Sequence, residues 1–158
     1  MPKIDIEAAP TNHGTGYPDP YAERCLGRRR WKLGDAAGLE QFGVNLLRLP
    51  PGQWSSQRHW EHAEDEFVWV VEGEVVLVTD AGEEVMRAGD CAGFKGATPD
   101  GHHFQNRSST EAVLLEVGTR LPESGATYPD IDMHLGAKAA GFTHRDGEPY
   151  PATGRRTA

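Results

Sequence analysis

Four of the seven histidines of the chain fall in two short segments. The first reads Gly52-Gln53-Trp54-Ser55-Ser56-Gln57-Arg58-His59-Trp60-Glu61-His62-Ala63-Glu64-Asp65-Glu66, and the second Gly101-His102-His103-Phe104-Gln105-Asn106. Neutral imidazole and ionised carboxylate are ligands for divalent transition metals, and donors carried on adjacent strands of a barrel can converge on one ion. The competing reading of the same residues is a metal-free polar cluster. Other chemistry-bearing patterns are weak: neither G-x-S-x-G nor H-E-x-x-H occurs, and Gly14-x-Gly16 has no third glycine and no strand before it.

The elements that must position these side chains read as strands. Short apolar runs recur at Val44–Leu49, Phe67–Val71, Val75–Thr79, Val85–Arg87, Cys91–Phe94 and Ala112–Val117. Turn residues punctuate them: Pro50-Pro51-Gly52, Glu72-Gly73 as a tight hairpin, Asp80-Ala81-Gly82 and Gly89-Asp90. The best helical stretch, Asp35 to Gln41, is short and interrupted by Gly38. The rhythm is all-β. It predicts an extended N-terminal arm over residues 1–28, a barrel over 29–120 and a C-terminal arm over 121–158, fraying after Pro151.

Alternation along Glu66–Val71 places Glu66, Val68 and Val70 on one face and Phe67, Trp69 and Val71 on the other. Both faces carry apolar residues, so the outer one is expected to lie under a terminal arm or a second copy in a homodimer.

The 158 residues are 37% hydrophobic and 25% charged, which fits one domain. A formal net charge of -8 repels phosphate backbones and anionic lipid, so neither nucleic acid nor membrane is an expected partner. The basic run Arg28-Arg29-Arg30 offers a small phosphate contact, but with no aromatic or basic stripe extending it the run reads as a solvated strand edge. Cys25 and Cys91, with no CxxC, fit reduced cytoplasmic thiols, and no stretch approaches the roughly eighteen apolar residues of a membrane span.

The two histidine segments resemble the motifs of the cupin superfamily, G-x5-H-x-H-x3 or 4-E-x6-G and G-x5-P-x-G-x2-H-x3-N. Glu66 with Gly73 keeps E-x6-G, Arg87-Ala88-Gly89-Asp90 matches the turn opening the second motif, and His102 with Asn106 keeps H-x3-N. Two departures stand out. His59-Trp60-Glu61-His62 replaces H-x-H, and Lys95-Gly96-Ala97 stands where P-x-G is expected.

The resemblance, over about Arg29 to Gly118, is to small single-domain bacterial cupins of unassigned function. It implies a jelly-roll, double-stranded β-helix barrel with terminal arms. It also implies a metal or small-molecule pocket whose ligands carry over as His59, Glu66 and His102. For the fourth ligand, strand parity puts Glu61 on the face of His59 and favours it, whereas His62 is the alternative if a β-bulge intervenes. His103 by the same parity points away from His102.

A two-His, two-carboxylate set suits Mn or Fe, with Zn possible. The implied function is action on a small polar organic ligand by an oxygenase, isomerase or lyase. The alternatives are a non-catalytic binding or sensing module with a degenerate metal site, and a dimerisation module.

Overall fold

A computed structural model describes residues 3–137 and 141–158; residues 1–2 and 138–140 of the two arms lie outside the described residues. The elements in chain order are β1 (Thr11–His13), a single 3-10 turn (Glu23–Cys25), β2 (Arg29–Lys32), α1 (Leu33–Ala36), β3 (Phe42–Leu49), β4 (Trp60–Glu61), β5 (Glu66–Glu72) and β6 (Glu74–Thr79), followed by β7 (Gly82–Arg87), β8 (Cys91–Phe94), β9 (His103–Gln105), β10 (Ala112–Thr119), β11 (Ala126–Tyr128), β12 (Met133–Leu135) and β13 (Phe142–Thr143). The six runs expected from the sequence are β3, β5, β6, β7, β8 and β10, each the same length as read or a little longer. The helical stretch expected over Asp35 to Gln41 is instead the single turn of α1, which starts two residues earlier and ends at Ala36.

The strands form three antiparallel sheets, in the orders β1-β2-β3-β10-β5-β8, β7-β6-β9 and β13-β12-β11-β4. The large sheet and the β7-β6-β9 sheet supply the inward side chains of the barrel. Leu47, Leu49, Val68, Val70, Val75, Leu77, Phe104 and Leu114 pack there into one aliphatic core with Met86 and Ala112. The tight hairpin joins β5 to β6 at Gly73. Its φ of +78° is a left-handed conformation, and a Cβ there would stand 2.9 Å from the carbonyl oxygen of Glu111. No side chain fits that position without moving β10.

A second, smaller core is built by the two arms. Tyr17 and Cys25 from the N-terminal side pack with Tyr128 and Met133 from the C-terminal side, the two tyrosine rings meeting edge to face at 5.8 Å. The arm strand β11 pairs directly with β4 of the barrel, Ala126 opposite Glu61 and Thr127 opposite Trp60. Thus the arms are part of the wall that closes the histidine segments.

Three expectations are corrected here. First, the chain does not fray after Pro151: Thr15 and Arg156 exchange backbone hydrogen bonds, Arg156 reaches Asp19, and the Ala158 amide donates to Leu26. Second, of the two covers expected for the outer face of β5, the arms are ruled out and a second copy is left: Phe67, Trp69 and Val71 remain 40%, 47% and 44% exposed. The arms bury their aromatic residues against each other, which leaves that face open. Third, Arg28 and Arg30 are not solvated. Arg28 is buried, and Arg30 turns inward beside Glu116; only Arg29 sits at the edge, paired with Glu111.

Candidate metal centre

His59 and His102 face each other across an antiparallel bridge, each accepting the other's backbone N–H, at 2.8 and 3.2 Å. Residues directly opposite project to the same side, and the two imidazoles lie 5.3 Å apart between centroids. Glu66 opens β5 on the inward parity it shares with Val68 and Val70, and its Oε2 is 2.9 Å from His102 Nε2. One donor atom from each of His59, Glu66 and His102 falls within 4.8 Å of the others.

The imidazoles are held from behind. His59 Nδ1 lies 2.9 Å from the carbonyl oxygen of Gln57. A carbonyl only accepts, so Nδ1 carries the hydrogen and Nε2 of the neutral ring keeps its lone pair for the cavity. Phe94 stacks on His102 with centroids 3.5 Å apart, and Tyr128 stacks on His59 at 5.6 Å. Burial works against a charged His59, yet the hydrogen bond that charged His59 donates to Glu61 and the charges of Glu66 and Glu61 raise its pKa above the ordinary value. For Glu66 burial again opposes the charge, but the bond from His102 and the charges of His102, His59 and Arg30 hold the carboxyl below its usual range.

Glu61 stands beside this trio, with Oε1 3.5 Å from His59 Nε2. His62 turns the other way, its Nε2 2.9 Å from Thr127 Oγ1 and its ring against His134. His103 is buried against Trp54, with Nδ1 3.0 Å from the Ser56 carbonyl, and burial pulls its pKa down to about 4. Asn106, the last residue of H-x3-N, contributes structure: its amide donates to the carbonyls of Leu49 and Thr110 at 2.7 Å each.

Two buried side-chain atoms of this neighbourhood have no hydrogen-bond partner among the described residues, Glu61 Oε2 and His102 Nδ1. Orphaned polar atoms are uncommon in folded interiors, and an absent ion is among the ordinary reasons for one. Together with two imidazoles and the Glu66 carboxylate converging on one spot, they fit a divalent transition metal.

The cavity beside the trio has a volume of about 290 Å3 and is lined by Arg28, Arg30, Asn45, Ser56 and Glu116 in addition to the donors. Arg30 binds Glu116 through a two-pronged pair, Nε to Oε2 at 2.6 Å and Nη2 to Oε1 at 2.8 Å. None of these four, Arg28, Arg30, Asn45 and Glu116, was singled out as a site residue in the sequence. The available signal was a carboxylate at an inward position of β10, in line with Ala112 and Leu114, which demands a buried cation. Outside the cavity, a cleft of about 490 Å3 is acidic, lined by Asp35, Glu64 and Asp65 as well as Glu61, Glu66 and Glu116, against Lys32 and Arg120.

The fold has a near counterpart. A crystal structure of a sugar phosphate isomerase of the cupin superfamily from Silicibacter pomeroyi shares 48% identity and a TM-score of 0.89, covering 96% of this chain and 98% of that one. This chain is a cupin. It belongs to the cupin superfamily, and the cupin domain model matches residues 45–118. A candidate sugar phosphate isomerase from Acidithiobacillus ferrooxidans is 29% identical with a TM-score of 0.69 over 75% of each chain. A polyketide cyclase from Streptomyces resistomycificus, 19% identical with a TM-score of 0.60 over 75% of this chain and 79% of its own, shares the fold. No curated protein matches the sequence.

One departure of this cupin from the motif has a structural answer. Ala97, in place of the glycine of P-x-G, keeps a left-handed φ of 63°, and its N–H donates to the carbonyl of Glu61 at 2.9 Å. The backbone conformation persists without the glycine, and it holds β4 beside the site.

Proposed function

We propose that this cupin binds a divalent transition metal, Mn or Fe before Zn, on His59, Glu66 and His102 with Glu61 as fourth ligand, and that it isomerises a small hydroxylated carbonyl compound of the sugar phosphate kind. The convergence of His59, Glu66 and His102 on one point of a polar cavity carries the metal reading. The reaction class rests on likeness, at 48% identity over nearly the whole of both chains, to a sugar phosphate isomerase. When bound, the metal supplies Lewis-acid polarisation of carbonyl and hydroxyl oxygens. The chain's own residues orient the ligand and exclude water: Asn45 and Ser56 offer polar groups to hydroxyls, and the Tyr17 and Tyr128 rings close the wall.

The test has two stages. Untagged protein reconstituted with Mn, Fe or Zn is expected to hold a single ion per chain. Phosphorylated aldoses in deuterated water are then expected to exchange the hydrogen on the carbon next to the carbonyl. No metal after reconstitution overturns the site, whereas metal without exchange across the panel assigns the chain to the non-catalytic binding class.

The same reading extends to assembly and location. A second copy covers the outer face of β5, where Phe67, Trp69 and Val71 form an exposed apolar strip. Light scattering is expected to give twice the chain mass of 17.3 kDa, and Trp69→Ser to return it to the monomer. A monomer mass for the wild type would remove the homodimer. Cys25 and Cys91 are both free, which fits a reducing cytoplasm. Among the described residues no helix is long and apolar enough to cross a membrane.

A further inference from the structure

Two guanidinium groups stand together in the wall of the cavity, and only one of them is paired with a carboxylate. Arg28 is buried, and its three hydrogen bonds all end on neutral acceptors: Nε on the Gly14 carbonyl at 3.0 Å, Nη2 on Thr15 Oγ1 at 3.2 Å, and Nη1 on the Ser55 carbonyl. Arg30 reaches that same Ser55 carbonyl through Nη2 at 3.1 Å. Two guanidinium groups therefore meet at one oxygen, and the single carboxylate paired with them, Glu116, is bound to Arg30 alone. Arg30 Nη1 makes no hydrogen bond among the described residues. Like charges brought together in a buried wall repel, and a buried cation without an opposite charge is disfavoured. The ring of Tyr17, 5.4 Å from the Arg28 guanidinium, compensates only in part.

Both arginines line the cavity that holds His59, Glu66 and His102. We propose that Arg28 and Arg30 form an oxyanion subsite. It takes the carboxylate or phosphate end of the ligand while the ligand's other oxygens reach the histidine and glutamate donors. This rests on the metal reading above for the far end of the ligand. Without metal, two guanidiniums and the carboxylates of Glu61, Glu66 and Glu116 leave the lining with one excess negative charge; a divalent ion reverses that sign and makes the cavity attractive to an anion. The acidic outer cleft cannot serve the same end, so the anionic group is drawn past it to the inner wall. A guanidinium suits the task, since its planar fork presents several donors to one carboxylate or phosphate.

The experiment is calorimetric titration of the full chain, reconstituted with Mn, with inorganic phosphate and separately with acetate. The chains compared are the wild type, Arg28→Gln, the double variant Arg30→Gln/Glu116→Gln, which removes the pair together, and Arg29→Gln as the control on the outer edge. At least one probe is expected to bind the wild type, with affinity lower by about tenfold or more in Arg28→Gln and in the double variant and unchanged in Arg29→Gln. The probe that shows this pattern identifies the head group. Should Arg28→Gln fail to fold by circular dichroism, Arg28→Lys keeps the charge without the fork and is expected to lose affinity several-fold. Binding of neither probe, or equal affinity in all four chains, overturns the subsite. Metal content measured on the same samples separates the two readings: arginine-dependent binding in a chain that takes up no metal keeps the subsite and removes the metal, and arginine-independent binding in a metal-loaded chain does the reverse.

Discussion

The two ends of the barrel interior are made from the same strands and differ completely. At the closed end, Leu47 of β3, Leu114 of β10 and Val70 of β5 lie opposite one another in register and are fully buried. Two residues further along, Asn45 stands opposite Glu116, and β5 ends its inward series on Glu66. A step of about 7 Å along β3 and β10, and of about twice that along β5, where Val68 intervenes, replaces aliphatic contacts by ion pairs and candidate ligands. The barrel draws its stability from the first end and places its chemistry at the second. That division lets the polar end carry unpartnered atoms and crowded arginines that a core could not tolerate. The small core of the arms, with Tyr17 and Tyr128 in the cavity wall, buttresses the polar end from outside.

The sharpest way to break this contrast is to remove one partner of the buried pair. Glu116→Ala leaves Arg30 beside Arg28 with no carboxylate and is expected to lower unfolding stability by about 3–5 kcal/mol in urea, whereas the joint change Arg30→Met/Glu116→Leu returns most of that loss. Equal loss in both would mean that packing, not charge, governs this layer. At the closed end, Leu114→Ala is expected to cost about 3 kcal/mol through the cavity it opens, with metal content per chain unchanged.

At the polar end the order reverses. His102→Ala, and likewise His59→Ala or Glu66→Ala, is expected to abolish metal uptake while moving the urea midpoint of the metal-free protein less than Leu114→Ala does. His62→Ala should retain the metal, and Glu61→Ala should weaken it; loss in His62→Ala with retention in Glu61→Ala would exchange those two roles. The smallest effect is a gain. Ala97→Gly removes a side chain from a left-handed position and is expected to raise stability by about 1 kcal/mol in the same urea titration, with metal content unaffected.

Much of the barrel was legible because strand alternation is local. The face shared by Glu66, Val68 and Val70, the hairpin at Gly73 and the run Cys91–Phe94 follow from residue types a few positions apart. So did the grouping of His59 with Glu61, and the turning away of His62 and His103. What local pattern cannot contain is the identity of the element opposite. Arg28 and Arg30 have the composition of a wet edge; Arg30 became cavity wall because β2 pairs with β3 while Glu116 arrives from β10, more than eighty residues later, and Arg28 because Gly14, Thr15 and Ser55 bind its guanidinium. The short strands β11–β13 and the last residues of the chain have little periodicity of their own; they are ordered by contacts with Thr15, Tyr17 and β4. Alternation by itself determined which side chains share a face. Only the tertiary structure decided whether that face meets the aliphatic core, the polar cavity or water, because the free energy of burying a charge depends on what stands across from it.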